Sequence, residues 1–316
     1  MEFVYNLEDL PQSARDARRD HVRRNLAAAR DLSFSLLLPV WAGDDVGQVR
    51  AAFASAVVDQ TRRPDEVVIV RDGPVPDELT SCLYRLRASS PVPVVLVELN
   101  HNRGLGPALD VGLTYCSHDI VARMDADDIA MPHRFAVQLP LMLRADIVGA
   151  GLLEFDGTTD NIVGQRTPPQ GAEEIASYAR VHDPFNHPTV VYRRSAVVAA
   201  GGYGDLPLME DYWLFARMLR GGATAINVPD PLLFYRVGSD AYKRRGGRRL
   251  LRSEIQLQRR LRDEGFTSRL EYRRNLAVRG SYRLTPWWVR RGLYRSFVRG
   301  HGSGRDTASS IGAAAA

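Results

Sequence analysis

The sequence predicts an α/β fold built around a parallel sheet, on three observations. From Ser33 onward, short apolar runs alternate with segments of helical period. Each of the first four runs ends in a polar, turn-forming stretch. The fourth, "IVARMDADDIAMP" from Ile120 to Pro132, ends on Asp125, Asp127 and Asp128, three like charges that repel one another unless a cation, a donor or solvent offsets them.

The elements follow in order. "ARDARRDHVRRNLAAARD" places Val22 and Leu26 at helical spacing, so one amphipathic helix is expected within residues 1–31. "SFSLLLPV", "EVVIVRD", "VPVVLVEL" and "DIVARMDADD" read as strands, separated by the helical patterns "VGQVRAAFASAVVDQ", "DELTSCLYRLRA" and "GLGPALDVGLTYC". After Pro132 come a helix, a longer strand or hairpin "DIVGAGLLEFDG", a polar stretch "TTDNIVGQRTPPQG" and a helix near Glu173 to Arg180. "DPFNHPTVVYRRSAVVAAGGY" combines a loop, a short strand and a short helix ending at Gly201 and Gly202. "LMEDYWLFARMLRGG" is a helix opened by acidic residues, which suit the positive end of its dipole. Two short strands, "TAINVP" and "LLFYRV", lead to a basic helical tail over 246–300 and a terminal 301–316 expected to be disordered.

At 316 residues, 45% hydrophobic and 25% charged, the chain has enough material for a sizeable core. No run approaches the length of a membrane span, and the start does not read as a secretory signal, so the expected compartment is the cytoplasm. Cys82 and Cys116 form no metal or disulfide pattern. Charge is uneven: Lys243 to Arg299 hold 18 Lys and Arg against 4 Asp and Glu, within a net charge of +5. Such a block suits an anionic partner.

In an open parallel sheet the ligand crevice lies outside the carboxyl ends of the strands. Pro39 to Asp45, Asp72 to Pro74, Asn100 to Gly106 and Asp125 to Asp128 should share that rim. An Asp-x-Asp there offers hard oxygen ligands for Mg2+ or Mn2+. Asp127 or Asp128 could instead cap the following helix, and Asp72 in "DGP" could simply start a turn.

The order and spacing of "PVWAGDD", "AVVDQTRRPDEVVIVRDGP", "NHNRGLGPALDVGL", "ARMDADD", "NHPTVVYRRSAVVAAGGY" and "EDYWLFARML" resemble family 2 glycosyltransferases. The resemblance covers roughly Ser33 to Arg245 and implies a GT-A catalytic domain at 32–245 with a mixed, mainly parallel sheet. It also implies a nucleotide-diphosphate sugar donor, a divalent metal, a carboxylate base and inversion at the sugar carbon. On the positions that match, Pro39, Trp41 and Ala42 lie against the nucleotide, though Trp41-Ala42 replaces the usual aromatic-Asn pair. Asp65 or Glu66, with Asp72, would accept from the base or ribose; Arg71 replaces one of the usual acids. Asn102, Arg103 and Gly104 would enclose the donor, and Asp125, Ala126 and Asp127 would form the metal motif, with Asp127 the most direct ligand.

The same resemblance makes Asp211 the base, with Glu210 supporting it or touching the acceptor. His187 in "FNHP" would contact acceptor or phosphate, although a lone His is more often packed. "YRVGSDAYKRRGG" resembles a segment closing over the diphosphate, where Tyr242, Lys243, Arg244 and Arg245 could neutralise phosphate. The His that many relatives carry near Gly238 is absent.

"RLTPWWVRRGLYRSFVR" mixes aromatics with arginines, a pattern for a helix at an anionic membrane surface or for one packed on its own domain. A carbohydrate or polyprenyl-diphosphate-linked acceptor would bring the enzyme to the inner face of the cell membrane. No nucleic-acid module accompanies the basic residues. A nucleotidyltransferase would normally show a glycine-rich basic loop near the first strand, which "PVWAGDD" lacks. A noncatalytic sugar-nucleotide-binding protein would not need both Asp125/Asp127 and Asp211.

Overall fold

A computed structural model describes residues 31–238 and 247–284. Outside the described residues lie the segment 1–30, Tyr242, Lys243, Arg244 and Arg245, and everything from 285 onward, including the aromatic and arginine-rich "PWWVRRGLYRSFVR".

The strands are β1 (Phe34–Trp41), β2 (Glu66–Asp72), β3 (Val94–Glu98), β4 (Ile120–Arg123), β5 (Ile129–Ala130), β6 (Ile147–Phe155), β7 (Ile162–Arg166), β8 (Val191–Arg193) and β9 (Ala225–Arg236). The helices are α1 (Val46–Phe53), α2 (Asp77–Ser89), α3 (Leu105–Tyr115), α4 (Arg134–Gln138), α5 (Ala172–Tyr178), α6 (Arg194–Ala199), α7 (Glu210–Arg220), α8 (Arg248–Asp263) and α9 (Arg269–Leu284). The sheet order is β3-β2-β1-β4-β8-β6-β9-β5, with β7 beside β6. Strands β3, β2, β1 and β4 run parallel, whereas β8 is antiparallel to both β4 and β6. The sheet is therefore mixed and mainly parallel.

Strand β1 shows why both faces are covered. Phe34, Leu36, Leu38 and Val40 enter one apolar cluster and Leu37 the other, following the two-residue period of a strand. Helix α3 packs closely on the second face because Gly112 has no side chain: a Cβ there would lie 2.5 Å from Leu37 Cδ1 and 2.6 Å from Val70 Cγ2.

Two expectations change. "TAINVP" and "LLFYRV" form one strand, β9. Pro229 and Pro231 lack an N–H, and the register with β6 shifts around Ala150, Gly151 and Leu152 instead of ending there. The polar stretch after β6 also contains a strand, β7, antiparallel to β6 and tied to it by an Arg166–Glu154 pair of 2.5 Å.

Helices α8 and α9 pack on the rest of the chain. Leu250, Leu257 and Leu261 join Leu206, Met209, Tyr212, Trp213 and Ala216 in a third apolar cluster. Arg249, Arg252 and Arg259 face solvent, so much of this basic charge is the wet side of amphipathic helices. Arg279 Nε donates to the buried Glu254 at 2.6 Å, and its Nη1 donates to Val181 O at 2.8 Å. Asn275 donates to Arg180 O at 2.8 Å. These bonds fasten both helices to the chain between α5 and β8.

Candidate active site at the carboxyl rim of the sheet

A cavity of 490 Å³ opens at the C-terminal ends of the parallel strands. Pro39, Trp41, Asp72, Asn102, Gly104, Asp125, Ala126 and Asp127 line it, together with Asp44 and Arg236. The indole of Trp41 is 54% exposed, leaving a broad apolar surface at the mouth. A second cavity, of 440 Å³, is lined from α1 and α2 and carries no carboxylate in its lining.

Asp72 joins two loops of this rim. Its carboxylate accepts from Arg103 N at 2.7 Å and Gly104 N at 3.0 Å, and its carbonyl accepts from Asn102 Nδ2 at 3.2 Å. The next residue, Gly73, has φ +86°, and a Cβ there would sit 2.4 Å from Asn102 N, so the turn and the close loop contact both require glycine. Arg103 contributes its backbone, while its side chain is exposed; neither Arg103 nor Ala42 lines the cavity.

Asp65 and Glu66 are corrected. They stand at the start of β2, and Asp72 at its end, a separation of about 20 Å at strand rise. Asp65 accepts from Phe34 N at 3.0 Å and Arg62 Nη2 at 2.8 Å. Glu66 accepts from Ser35 Oγ at 2.6 Å and Ser117 Oγ at 2.8 Å. Both carboxylates tie the amino ends of the strands together, opposite the rim, and have no reach to a nucleotide there.

Asp125, Asp127 and Asp128 each bring a carboxylate oxygen within 4.8 Å of the others. Burial, then Asp125, raises the Asp127 carboxyl above its ordinary range. Burial, Asp125 and Asp127 raise Asp128 well above it. Asp44 belongs to the same field: burial pushes it up to about 7, with Asp127 and Asp125 adding to that and the Trp41 N–H opposing it. A cation would offset the repulsion that adds to burial in all three shifts.

Asp128 does not cap α4, whose cap position is His133 with no side-chain bond. Its Oδ1 accepts from Arg236 N at 2.9 Å, and its buried Oδ2 has no partner among the described residues. A crowded, all-oxygen set with an orphaned carboxylate oxygen fits a hard divalent ion. Asp125 is paired at 2.5 Å with Arg123 Nη2.

The second acidic group starts α7. Asp211 Oδ1 accepts from Tyr212 N at 2.7 Å, and Oδ2 lies 3.7 Å from His187 Nδ1. Burial raises the Asp211 carboxyl, against the Tyr212 N–H and Arg123. Burial and Asp211 push Glu210 up to about 7, and its buried Oε2 has no partner among the described residues. Asp183, on the loop before His187, is raised well above its usual range by burial and then by Asp211. His187 is only 7% exposed and lies outside the cavity lining; burial, then Arg123, holds its pKa well below the ordinary value.

Between the two acidic groups stands Arg123, the last residue of β4, fully buried, with Nε and Nη1 unpartnered among the described residues. Its charge offsets Asp127 and Asp128 on one side and Glu210 and Asp211 on the other. Arg123, Asp44 and Asp183 are absent from the sequence-derived site. Asp44 carried a usable signal, since "GDD" follows β1 onto the same rim. Arg123 and Asp183 carried none, because nothing local reveals which distant carboxylates they face.

A model described as glycosyl transferase family 2 matches residues 49–200. The amylovoran biosynthesis glycosyltransferase AmsE of Erwinia amylovora is 38% identical over 247 residues, 76% of this chain and 90% of that one. The UDP-Gal:alpha-D-GlcNAc-diphosphoundecaprenol beta-1,3-galactosyltransferase of Escherichia coli is 32% identical over 270 residues, 84% of this chain and 96% of that one. Among solved structures, the mannosyltransferase PcManGT from Pyrobaculum calidifontis, in complex with GDP-Man and Mn2+, aligns with a TM-score of 0.58 at 17% identity, covering 95% of this chain and 86% of that one. With a rim cavity, an Asp-x-Asp at its mouth and full-length relatives of one kind, the chain belongs to glycosyltransferase family 2 and is a glycosyltransferase of the GT-A fold.

Proposed function

We propose that the enzyme transfers a sugar, with inversion, from a nucleoside-diphosphate donor to an acceptor hydroxyl during assembly of a bacterial surface polysaccharide or glycolipid. The observation that carries this reading is the pair of acidic groups on either side of buried Arg123, one at the cavity mouth and one at the start of α7.

In this reading Trp41 and Asn102 receive the nucleotide, with Asp72 fixing the loop that covers it. Asp125 and Asp127 hold Mn2+ or Mg2+, which when bound neutralises charge growing on the departing diphosphate. Arg123 holds Asp125 in place. Asp211 takes the proton from the acceptor hydroxyl as that oxygen attacks the sugar carbon. Glu210, carrying a proton through much of the neutral range, supports the acceptor side without adding a full charge beside the base.

UDP is the first nucleotide to test because a relative's name specifies UDP-Gal, and a polyprenyl-diphosphate-linked acceptor follows from the diphosphoundecaprenol in the same name. Among the described residues no helix is long and apolar enough to cross a membrane. Exposed Arg249, Arg252 and Arg259 on α8 suit contact with an anionic lipid surface where such an acceptor resides.

The test is calorimetric binding of UDP, dTDP and GDP, each with Mn2+ and again with chelator, followed by release of the nucleoside diphosphate from the matching sugar donors. Metal-dependent binding of one nucleotide, with turnover of its sugar, is the expected result. Metal-independent binding of all three equally would overturn the assignment of Asp125 and Asp127.

A further inference from the structure

Behind Asp211 lies a line of buried polar side chains that the transfer step itself does not use. His187 Nε2 is 2.9 Å from Tyr203 Oη, and Tyr203 Oη is 3.1 Å from Tyr192 Oη. Tyr192 and Tyr203 are fully buried. The His187 ring packs at 5.4 Å from Tyr203 and 5.8 Å edge-on to Phe215, which fixes its plane. Tyr203 is anchored in turn: its N–H donates to Asp110 Oδ1 at 2.7 Å, and Gly204 N donates to Asp110 Oδ2 at 3.2 Å. Asp110 sits on α3, the helix that follows the Asn102–Gly104 loop.

The donor and acceptor inventory allows two proton arrangements in this line, and the charge facing Nδ1 selects between them. A neutral imidazole has one N–H and one acceptor nitrogen, a hydroxyl both donates and accepts, and an ionised carboxylate only accepts. An ionised Asp211 on the Nδ1 side favours the proton on Nδ1. Nε2 must then accept, so Tyr203 donates to it, and Tyr203 must accept from Tyr192. The Nδ1 to Oδ2 gap of 3.7 Å is longer than a hydrogen bond, and such contacts commonly tighten once substrate is bound.

We propose that His187 is a positioning residue for Asp211: the Tyr192–Tyr203 hydroxyl chain holds its imidazole as the Nδ1–H tautomer and aims that proton at Oδ2. The proposal rests on Asp211 as the base. Tyr212 N holds Oδ1, and once the His187 contact closes on Oδ2 the carboxylate plane is held from both ends, leaving a lone pair free for the acceptor hydroxyl. Besides His187, Asp211 feels Glu210 on its own helix, Asp183 from the preceding loop, Arg123 and Asp125 from the end of β4, and Tyr203. Burial and the neighbouring acids disfavour its charge, the Tyr212 N–H and Arg123 favour it, and the aimed Nδ1–H adds a further favourable contact.

The test reads the tautomer directly. The full-length chain is labelled with 13C,15N-histidine, and the His187 signals are assigned by their loss in His187→Gln among the 7 histidines. A neutral Nδ1–H form in the wild type, mixed with the Nε2–H form in Tyr203→Phe, is expected; an Nε2–H form in the wild type overturns the relay. Release of nucleoside diphosphate from the donor that supports turnover gives the second readout. Tyr203→Phe should lower kcat by about tenfold, short of the ~10²–10⁴ that a general base supplies, and move the acid limb of its pH profile upward with nucleotide affinity unchanged. His187→Asn, whose amide N–H replaces Nδ1–H, should retain more kcat than His187→Gln. Equal losses in the two variants, or an unmoved acid limb in Tyr203→Phe, reduce His187 to packing and overturn the proposal. Asp211→Asn separates the two readings: undiminished turnover there removes the base assignment, whereas the tautomer result reports on the relay alone.

Discussion

Among the described residues two groups of three carboxylates stand out, and they differ in the chemistry they suit. Asp125, Asp127 and Asp128 come from four consecutive residues and crowd their oxygens within 4.8 Å at the mouth of the cavity. Asp183, Glu210 and Asp211 come from a loop and a helix start, and Asp211 is faced by a neutral His187. The first group suits a divalent ion, because only a concentrated positive charge offsets so much repulsion at once. The second suits a proton: its carboxyls come from separate segments, Asp211 keeps Oδ2 without a hydrogen bond among the described residues and facing a neutral imidazole, and burial raises Glu210 to about 7. Arg123 lets the two coexist by placing one buried cation between them.

The largest effects are expected at Asp211 and Asp127. Asp211→Asn should lower turnover by about 10²–10⁴ while nucleotide affinity stays within twofold of the wild type, measured by single-turnover kinetics and calorimetry. Wild-type turnover in that variant would end the proton-handling reading of the second group. Asp127→Ala should do the reverse, abolishing the Mn2+-dependent part of nucleotide binding; binding that still responds to chelator would move the metal elsewhere.

A smaller effect tests whether α8 belongs to the folded body. Leu257→Ala removes a fully buried side chain that packs toward α7 and should cost about 2–5 kcal/mol of stability in denaturant unfolding. A change below ~0.5 kcal/mol would mean that the C-terminal helices are loosely attached.

The smallest effect sharpens the electrostatics. Glu210 has its folded pKa raised to about 7 from 4.5, so the folded state holds more protons than the unfolded one between those values. Its contribution is fully present below pH 4.5 and lost as pH rises through about 7. Glu210→Gln should therefore gain stability relative to the wild type as pH increases across that window, by up to about 3 kcal/mol. A pH-independent difference in thermal midpoint would show that Glu210 is ionised when folded.

Much of the donor rim was legible in the sequence. The alternation through β4 announced a parallel sheet, and a parallel sheet gathers the loops after its strands, so Pro39, Asp72, Asn102 and Asp125 could be placed together without any long-range information. The matched segment points to Asp65 and Glu66 but does not say which end of the strand meets the ligand, and they stand at the far end. The loop of Asp44 is legible, but its weight is not, since that comes from facing Asp125 and Asp127 across the rim. Prolines usually end a strand, so the sequence divides β9 in two, whereas β6 accommodates them through a register shift.

The sequence by itself determined the strand and helix alternation, the Asp-x-Asp at a strand end and the acidic opening of α7, all of which are local patterns of polarity and charge. Only the tertiary structure decided that β8 runs antiparallel between β4 and β6, bringing Tyr192 and the His187 turn beside β4 and the start of α7. It alone placed Arg123 between two acidic groups and Tyr203 against His187. The reason is physical: periodicity along a chain fixes which face a side chain takes, but the partner across that face is chosen by strand order and packing between residues far apart in sequence.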